Sequence, residues 1–179
     1  MLSASISYLI ATGIAPEKIA ISSHTVSAAA EIEGRIGPTL QNLFPAALEA
    51  MGQIKPATGT IHALAYREMI AHKHPKARWT ILDEAGQFRI WKEATLFSFP
   101  ELAGADLDAQ SGEEIRLVDR IRGYDVAEKR IPEILLLVGG DETLQKTAGT
   151  YQKIKEARKL IDYTDLLREW APIIEHPGY

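Results

Sequence analysis

Lys18 to Ile36, KIAISSHTVSAAAEIEGRI, constrains the fold more than any other stretch of the chain: an apolar, strand-sized run passes through a polar turn straight into an alanine-rich helix. Ile19, Ala20 and Ile21 suit a strand buried on both faces. Ser22, Ser23, His24 and Thr25 then place hydroxyls and an imidazole at its carboxyl end, which is where open α/β sheets bind ligands. Ser27 is expected to cap the following helix, because its hydroxyl can accept from a first-turn amide and Ala28 to Glu31 are strong helix formers. The expected class is α/β.

The remaining chain supports that class and narrows the function. With 179 residues, 46% of them hydrophobic, it can bury a core as one domain or as two small ones. The net charge of -4 gives no bulk attraction for nucleic acid, so any such binding must come from local groups. The absence of cysteine excludes disulfides and thiolate metal sites. No apolar run approaches the ~20 residues of a membrane span and no signal peptide is legible, so a cytoplasmic protein with no membrane partner is expected.

In chain order, Leu2, Ile6, Leu9 and Ile10 share a helical face that Gly13 ends. Thr39 to Met51 reads as a helix interrupted near Pro45, and a second strand at Ala57 leads into the helix IHALAYREMIA, with Ile61, Leu64, Ala65 and Met69 facing inward. Trp79 to Leu82 is a short apolar run, and Asp83 can cap a helix carrying Phe88 and Trp91. These two residues and Trp79 are expected in a core. Phe99 to Gly112 reads as a loop, and Ile115, Val118 and Ile121 mark a helix with Arg116, Arg120 and Arg122 on or beside its wet face. A helix from Pro132 is expected to bury Ile134 to Val138. The long helix from about Thr143 carries Lys146, Lys153, Lys155, Arg158 and Lys159, the one markedly basic segment, and Asp162 is placed to cap the next.

Two segments, both following a strand, carry a family resemblance. SHTVSAAAEI (23–32) is similar to the TFTNKAAxEM pattern of UvrD/Rep-type superfamily 1 DNA helicases, and GTIHALAYR (59–67) is similar to their GTFHSLxxR pattern. YQKIKEARKLIDYTDLL (151–167) resembles the segment ending in that family's DFxDLL motif, and ISYLIATGIAPEKIAI resembles the helix and strand between its phosphate loop and first DNA-contacting motif. Order and spacing agree along nearly the whole chain. The resemblance implies a partial RecA-like parallel sheet at 1–80 bearing the DNA-facing motifs, a helical insertion subdomain at 81–160 and a return segment at 161–179.

It also implies a single-stranded DNA groove floored by the two strand-to-helix turns. Ser23, His24 and Thr25 fall on the family's Thr, Phe and Thr, and Thr60 and His62 on its Thr and His, with Lys155 on the basic helix as a secondary contact. Hydroxyls and amides at helix starts bind phosphate oxygens, and a flat ring stacks on an unpaired base. The same Ser and Thr residues serve equally well as helix caps, and His62 as a structural hydrogen-bonding group. Two departures weaken the expected grip: the family's Asn-Lys is Val26-Ser27, and its Ser is Ala63.

The family's ATP and Mg²⁺ have no evident seat in this chain, so no cofactor and no metal site is expected. The sequence contains no GxxxxGK[ST] loop. ILDEAG (81–86) imitates a Walker B strand with an acidic pair, but its apolar run is short and no phosphate loop precedes it, so it is read as a helix start. His72 and His74 read as surface residues, and Asp162 with Asp165 as a helix start rather than a metal site. By the resemblance, Met1 falls just after the family's phosphate loop and Tyr179 just before its Walker B strand. The expected function is that of the DNA-binding portion of a UvrD-like helicase, inactive alone and completed by the rest of the helicase. The alternative is a stand-alone, helicase-derived adaptor for a protein partner.

Overall fold

The computed structural model describes residues 2–52, 54–124 and 130–175, the side chains of Ala50, Met51 and Pro132 excepted. It is a mixed α/β, mainly helical chain in two compact units, Met1–Glu68 and Met69–Tyr179. The boundary lies within a helix rather than at residue 80, and the residues beyond 160 group with the second unit. The last four residues of the 161–179 segment lie outside the described residues.

The first unit begins with α1 (Leu2–Ala11), whose Ile6 and Ile10 are buried while Leu2 and Leu9 remain exposed. Gly13, at φ +93°, closes it in a backbone conformation that a side chain would strain. Strand β1 (Ala20–Ser23) follows and leads through a two-residue turn to α2 (Val26–Leu43). The cap of α2 is Thr25 and not Ser27: Thr25 has extended backbone (φ -125°, ψ 151°) and its hydroxyl accepts from Ala28 N at 3.1 Å, whereas Ser27 already lies inside the helix.

Helix α2 also runs through Pro38 without stopping. The expected break comes later, at Phe44, where Pro45 starts α3 (Pro45–Met51). A proline inside a helix costs about 3 kcal/mol, and burial of Ile36 and Leu40 on either side of Pro38 offsets it. Strand β2 (Ala57–Thr60) then pairs with β1 in parallel, in the register Ala20↔Ala57 to Ser23↔Thr60. Ile6, Ile10, Ile19, Ile21, Ile36 and Leu40 form the core of this unit. Helix α4 (Ile61–Ala71) begins directly from β2 and buries Leu64, Ala65 and Met69.

The second unit is built on a long helical pair. Strand β3 (Thr80–Ile81) pairs in parallel with β4 (Leu160–Ile161), and these two short strands bracket α5 (Glu84–Ser98), α6 (Asp108–Arg122), α7 (Ile131–Leu137) and α8 (Glu142–Arg158). Helix α9 (Tyr163–Ile174) follows β4. Aspartates start three of these helices: Asp83 accepts from Gly86 N at 2.7 Å, Asp141 from Leu144 N at 2.7 Å, and Asp162 forms a reciprocal capping box with Asp165. The Walker B look-alike therefore ends in a helix cap.

Four expectations need correction. The stretch from Phe99 to Gly112 is only partly loop, because α6 already starts at Asp108 with Leu107 buried before it, and Gly112 is carried inside the helix. Helix α7 buries Ile131 and Leu135 but leaves Leu136, Leu137 and Val138 exposed, since a seven-residue helix presents only one face to its neighbours. Arg122 is buried and not on the wet face. Trp79 and Phe88 are half-buried beneath Lys76 and Lys92, at 5.1 and 5.7 Å from the ring centres, so only Trp91 of the three belongs to the closed core.

Trp91 stands at the centre of that core. Its ring lies 5.2 Å from that of Tyr151 on α8, and its indole N–H donates to Glu114 on α6 at 2.9 Å. One side chain thus joins three helices. Trp91→Ala is expected to lower unfolding free energy by about 3 to 5 kcal/mol, read as a fall in the urea midpoint; an unchanged midpoint would contradict this packing.

Candidate nucleic-acid interface

Parallel pairing of β1 with β2 fixes where the first unit presents its polar groups. In a parallel pair both carboxyl ends lie at the same end of the sheet, and Ser23 stands opposite Thr60. Each strand passes almost at once into a helix, so α2 and α4 both start there. Their first-turn amides lack intrahelical acceptors and carry the positive end of the helix dipole.

The side chains around these starts divide by role. Thr25 and Thr60 are both caps, accepting from Ala28 N at 3.1 Å and Ala63 N at 3.2 Å. Each hydroxyl keeps its own O–H to donate. Ser23 is half-buried beside them and His24 is exposed. His62, in the first turn of α4, is half-buried, and burial pushes its imidazole below the ordinary value, so at neutral pH it is an uncharged ring. The structure therefore brings Ser23, His24, Thr25, Thr60 and His62 to one end of one sheet.

Arg67 escaped selection from the sequence, although it closes the GTIHALAYR stretch. Its guanidinium donates to Thr58 O at 2.6 Å, and a Cβ at Gly59 would come within 2.9 Å of the same group. Gly59 is thus the residue that lets an arginine lie against the β2 backbone. The available signal was a cation two helical turns after the strand. It supplies positive charge in the unit that has Val26-Ser27 where the family pattern has Asn-Lys.

The UvrD/REP helicase N-terminal domain family matches residues 1–176. The chain belongs to that family. No curated protein matches it.

Within this UvrD-type chain, Lys155 occupies a different setting from the one its place on the basic helix suggested. Its side chain is 1% exposed and its ammonium is ion-paired with both Asp162 and Asp165. Arg122 reaches the same two carboxylates from α6, at 3.1 Å from Asp162. Tyr151 adds a hydroxyl bond to Asp162 at 3.0 Å, and Arg168 on α9 donates to Arg122 O at 2.7 Å. Lys155 is spent on holding α8, α6 and α9 together and is not available as a surface contact. Arg158 forms an exposed pair with Glu93 on α5, while Lys146 and Lys153 are exposed. His74 also departs from expectation: it is half-buried, 3.3 Å from Glu169, and accepts from Lys76 N at the start of the turn at Pro75–Arg78.

Charge in this cluster sets its acid response. Burial pushes the Asp162 carboxyl up, but Lys155 and Arg122 outweigh it and hold the group well below the usual carboxylate range. Asp162 therefore contributes stability in full above the ordinary Asp value and loses it as pH falls below that value. Asp119 runs the other way. Burial, then the Asp162 charge, raise its pKa, so its cost appears as pH rises through that raised value. Lys155→Met, which leaves two buried carboxylates to Arg122, is expected to cost about 3 to 5 kcal/mol at neutral pH. The loss should shrink in acid as Asp162 protonates, and urea unfolding across the acid range checks both.

Proposed function

We propose that this chain is the DNA-facing part of a UvrD-like, ATP-dependent DNA helicase and that it contacts single-stranded DNA through Ser23, His24, Thr25, Thr60 and His62. The observation that carries this reading is the Ser23↔Thr60 register, which sets two helix starts side by side at one sheet end in a chain of helicase family. Amides and hydroxyls at two neighbouring helix starts suit phosphate oxygens, and the exposed His24 ring suits an unpaired base. Arg67 adds a nearby positive charge. Binding of this kind reads the backbone and ring faces and is not sequence-specific.

The energy of such a contact is modest and measurable. Base stacking contributes about 1 to 3 kcal/mol by alanine substitution, which is roughly tenfold or more in affinity. His24→Ala with Thr60→Ala is therefore expected to weaken binding of a fluorescein-labelled oligothymidylate by about tenfold or more. Equal anisotropy titrations for the wild type and the double variant would remove the two turns from the site.

ATP and Mg²⁺ belong, on this reading, to residues outside the sequence described. Phosphoryl transfer depends on positioning and charge neutralisation by a glycine-rich loop, its lysine and metal-binding carboxylates. The sequence has no such loop, and Asp83, the first residue of its acidic pair, is occupied as a helix cap. The chain alone is expected to release no phosphate from ATP, with or without single-stranded DNA. Turnover stimulated by DNA and abolished by Asp83→Asn would make the ILDEAG stretch catalytic and overturn this assignment.

A further inference from the structure

An open groove lies in the second unit, where the end of α5 meets the middle of α8. It encloses about 380 Å³ between Phe97, Ser98, Lys146, Gly149, Thr150 and Lys153. The four α8 residues follow the i, i+3, i+4, i+7 spacing of one helix face. Lys146 and Lys153 therefore stand about 10.5 Å apart along its axis. Gly149 leaves the wall between them open, since a Cβ there would meet nothing within 4 Å. The floor is tied by a hydrogen bond of 2.8 Å between the Ser98 and Thr150 hydroxyls.

Two features of the groove call for an occupant. Phe97 is 77% exposed, an aromatic ring left in water at the last turn of α5. None of the lining residues is acidic in a chain whose net charge is -4. Lys146 is steadied by Ser98 O at 3.0 Å and by the Phe99 ring 4.7 Å away, neither of which neutralises it. Lys153 is exposed and has no carboxylate partner among the described residues. An open ring face beside two cations suits a ligand that alternates flat apolar rings with negative charge.

We infer that this groove is a second single-stranded DNA contact, with a base stacked on Phe97 and phosphates held by Lys146 and Lys153. It rests on the reading of the protein as DNA-binding but uses none of the residues at the β1–β2 sheet end. Charge complementarity favours DNA over an apolar partner helix, and the exposed ring favours it over a purely acidic peptide, which offers no face to stack.

The test titrates the full chain with labelled oligothymidylate across a salt series, as wild type, as Phe97→Ala with Lys153→Glu, and as the sheet-end variant His24→Ala with Thr60→Ala. Phe97 and Lys153 are exposed, so the groove variant is expected to keep the wild-type thermal midpoint. The expected result is a loss of about tenfold or more in affinity and a salt slope shallower by about one. An abasic oligonucleotide should abolish the effect of Phe97→Ala alone and retain that of Lys153→Glu alone. Loss in the sheet-end variant only would overturn the groove and leave the sheet end standing; loss in the groove variant only would do the reverse. Wild-type affinity in both variants would overturn both. A labelled polyaspartate that binds the wild type and is lost in the groove variant, while DNA binding is unchanged, would reassign the groove to an acidic protein segment.

Discussion

Parallel backbone pairing between β1 and β2 is the constraint on which the sheet-end site depends. It is short, four residues against four, yet it decides everything about where the polar groups go. An antiparallel pair would send Thr25 and Thr60 to opposite ends of the sheet. The parallel pair makes each strand's polar end a neighbour of the other's, and the immediate passage into α2 and α4 turns two strand ends into two helix starts. Hydroxyls that cap those helices are the same hydroxyls that face outward. Structural and ligand-binding roles for Thr25 and Thr60 are therefore compatible, because a cap uses the oxygen lone pair and leaves the O–H.

The second unit depends on a different kind of force. Lys155 and Arg122 are buried against Asp162 and Asp165, and Asp162 also starts α9. A buried ion cluster adds little net stability compared with an apolar packing of equal volume, because desolvation offsets the attraction. Its geometry is nevertheless demanding, since each carboxylate must meet its cations and the α9 amides at once. The arrangement fixes the register between α8 and α9 through the short β4 strand, with Lys159 in a left-handed conformation at the bend.

Local signals were legible in the sequence and long-range ones were not. The α1, β1, β2 and α4 segments could be read because apolar spacing, glycine and proline act over a few residues. The caps Asp83 and Asp162 were legible for the same reason. Both Thr25 and Ser27 were readable as caps of α2, because the choice between them depends on where β1 ends, which its pairing with β2 sets. Lys155 and Arg122 were assigned to wet surfaces because helical periodicity locates a face without saying what covers it, and their carboxylate partners lie on other elements. Arg67 was passed over because its contact is made with a backbone carbonyl, which leaves no mark in a side-chain pattern. The family resemblance pointed to two turns that the parallel register sets at one sheet end; the energetic roles of the cations needed the fold.

The position of Arg67 also bears on how this small sheet avoids its own kind. Ala57 N bonds to Ile19 O, so in the alternating ladder the Thr58 groups point away from β1, toward the open edge of β2. Unpaired strand edges recruit other strands and seed aggregation. The Arg67 guanidinium occupies the Thr58 carbonyl on that edge and covers it with a charged group. Gly59, by having no side chain, keeps the space in which this guard lies. Arg67 and Gly59, close to the helix starts proposed to contact DNA, thereby double as protection against strand addition, and colloidal behaviour is tied to atoms beside the proposed contact.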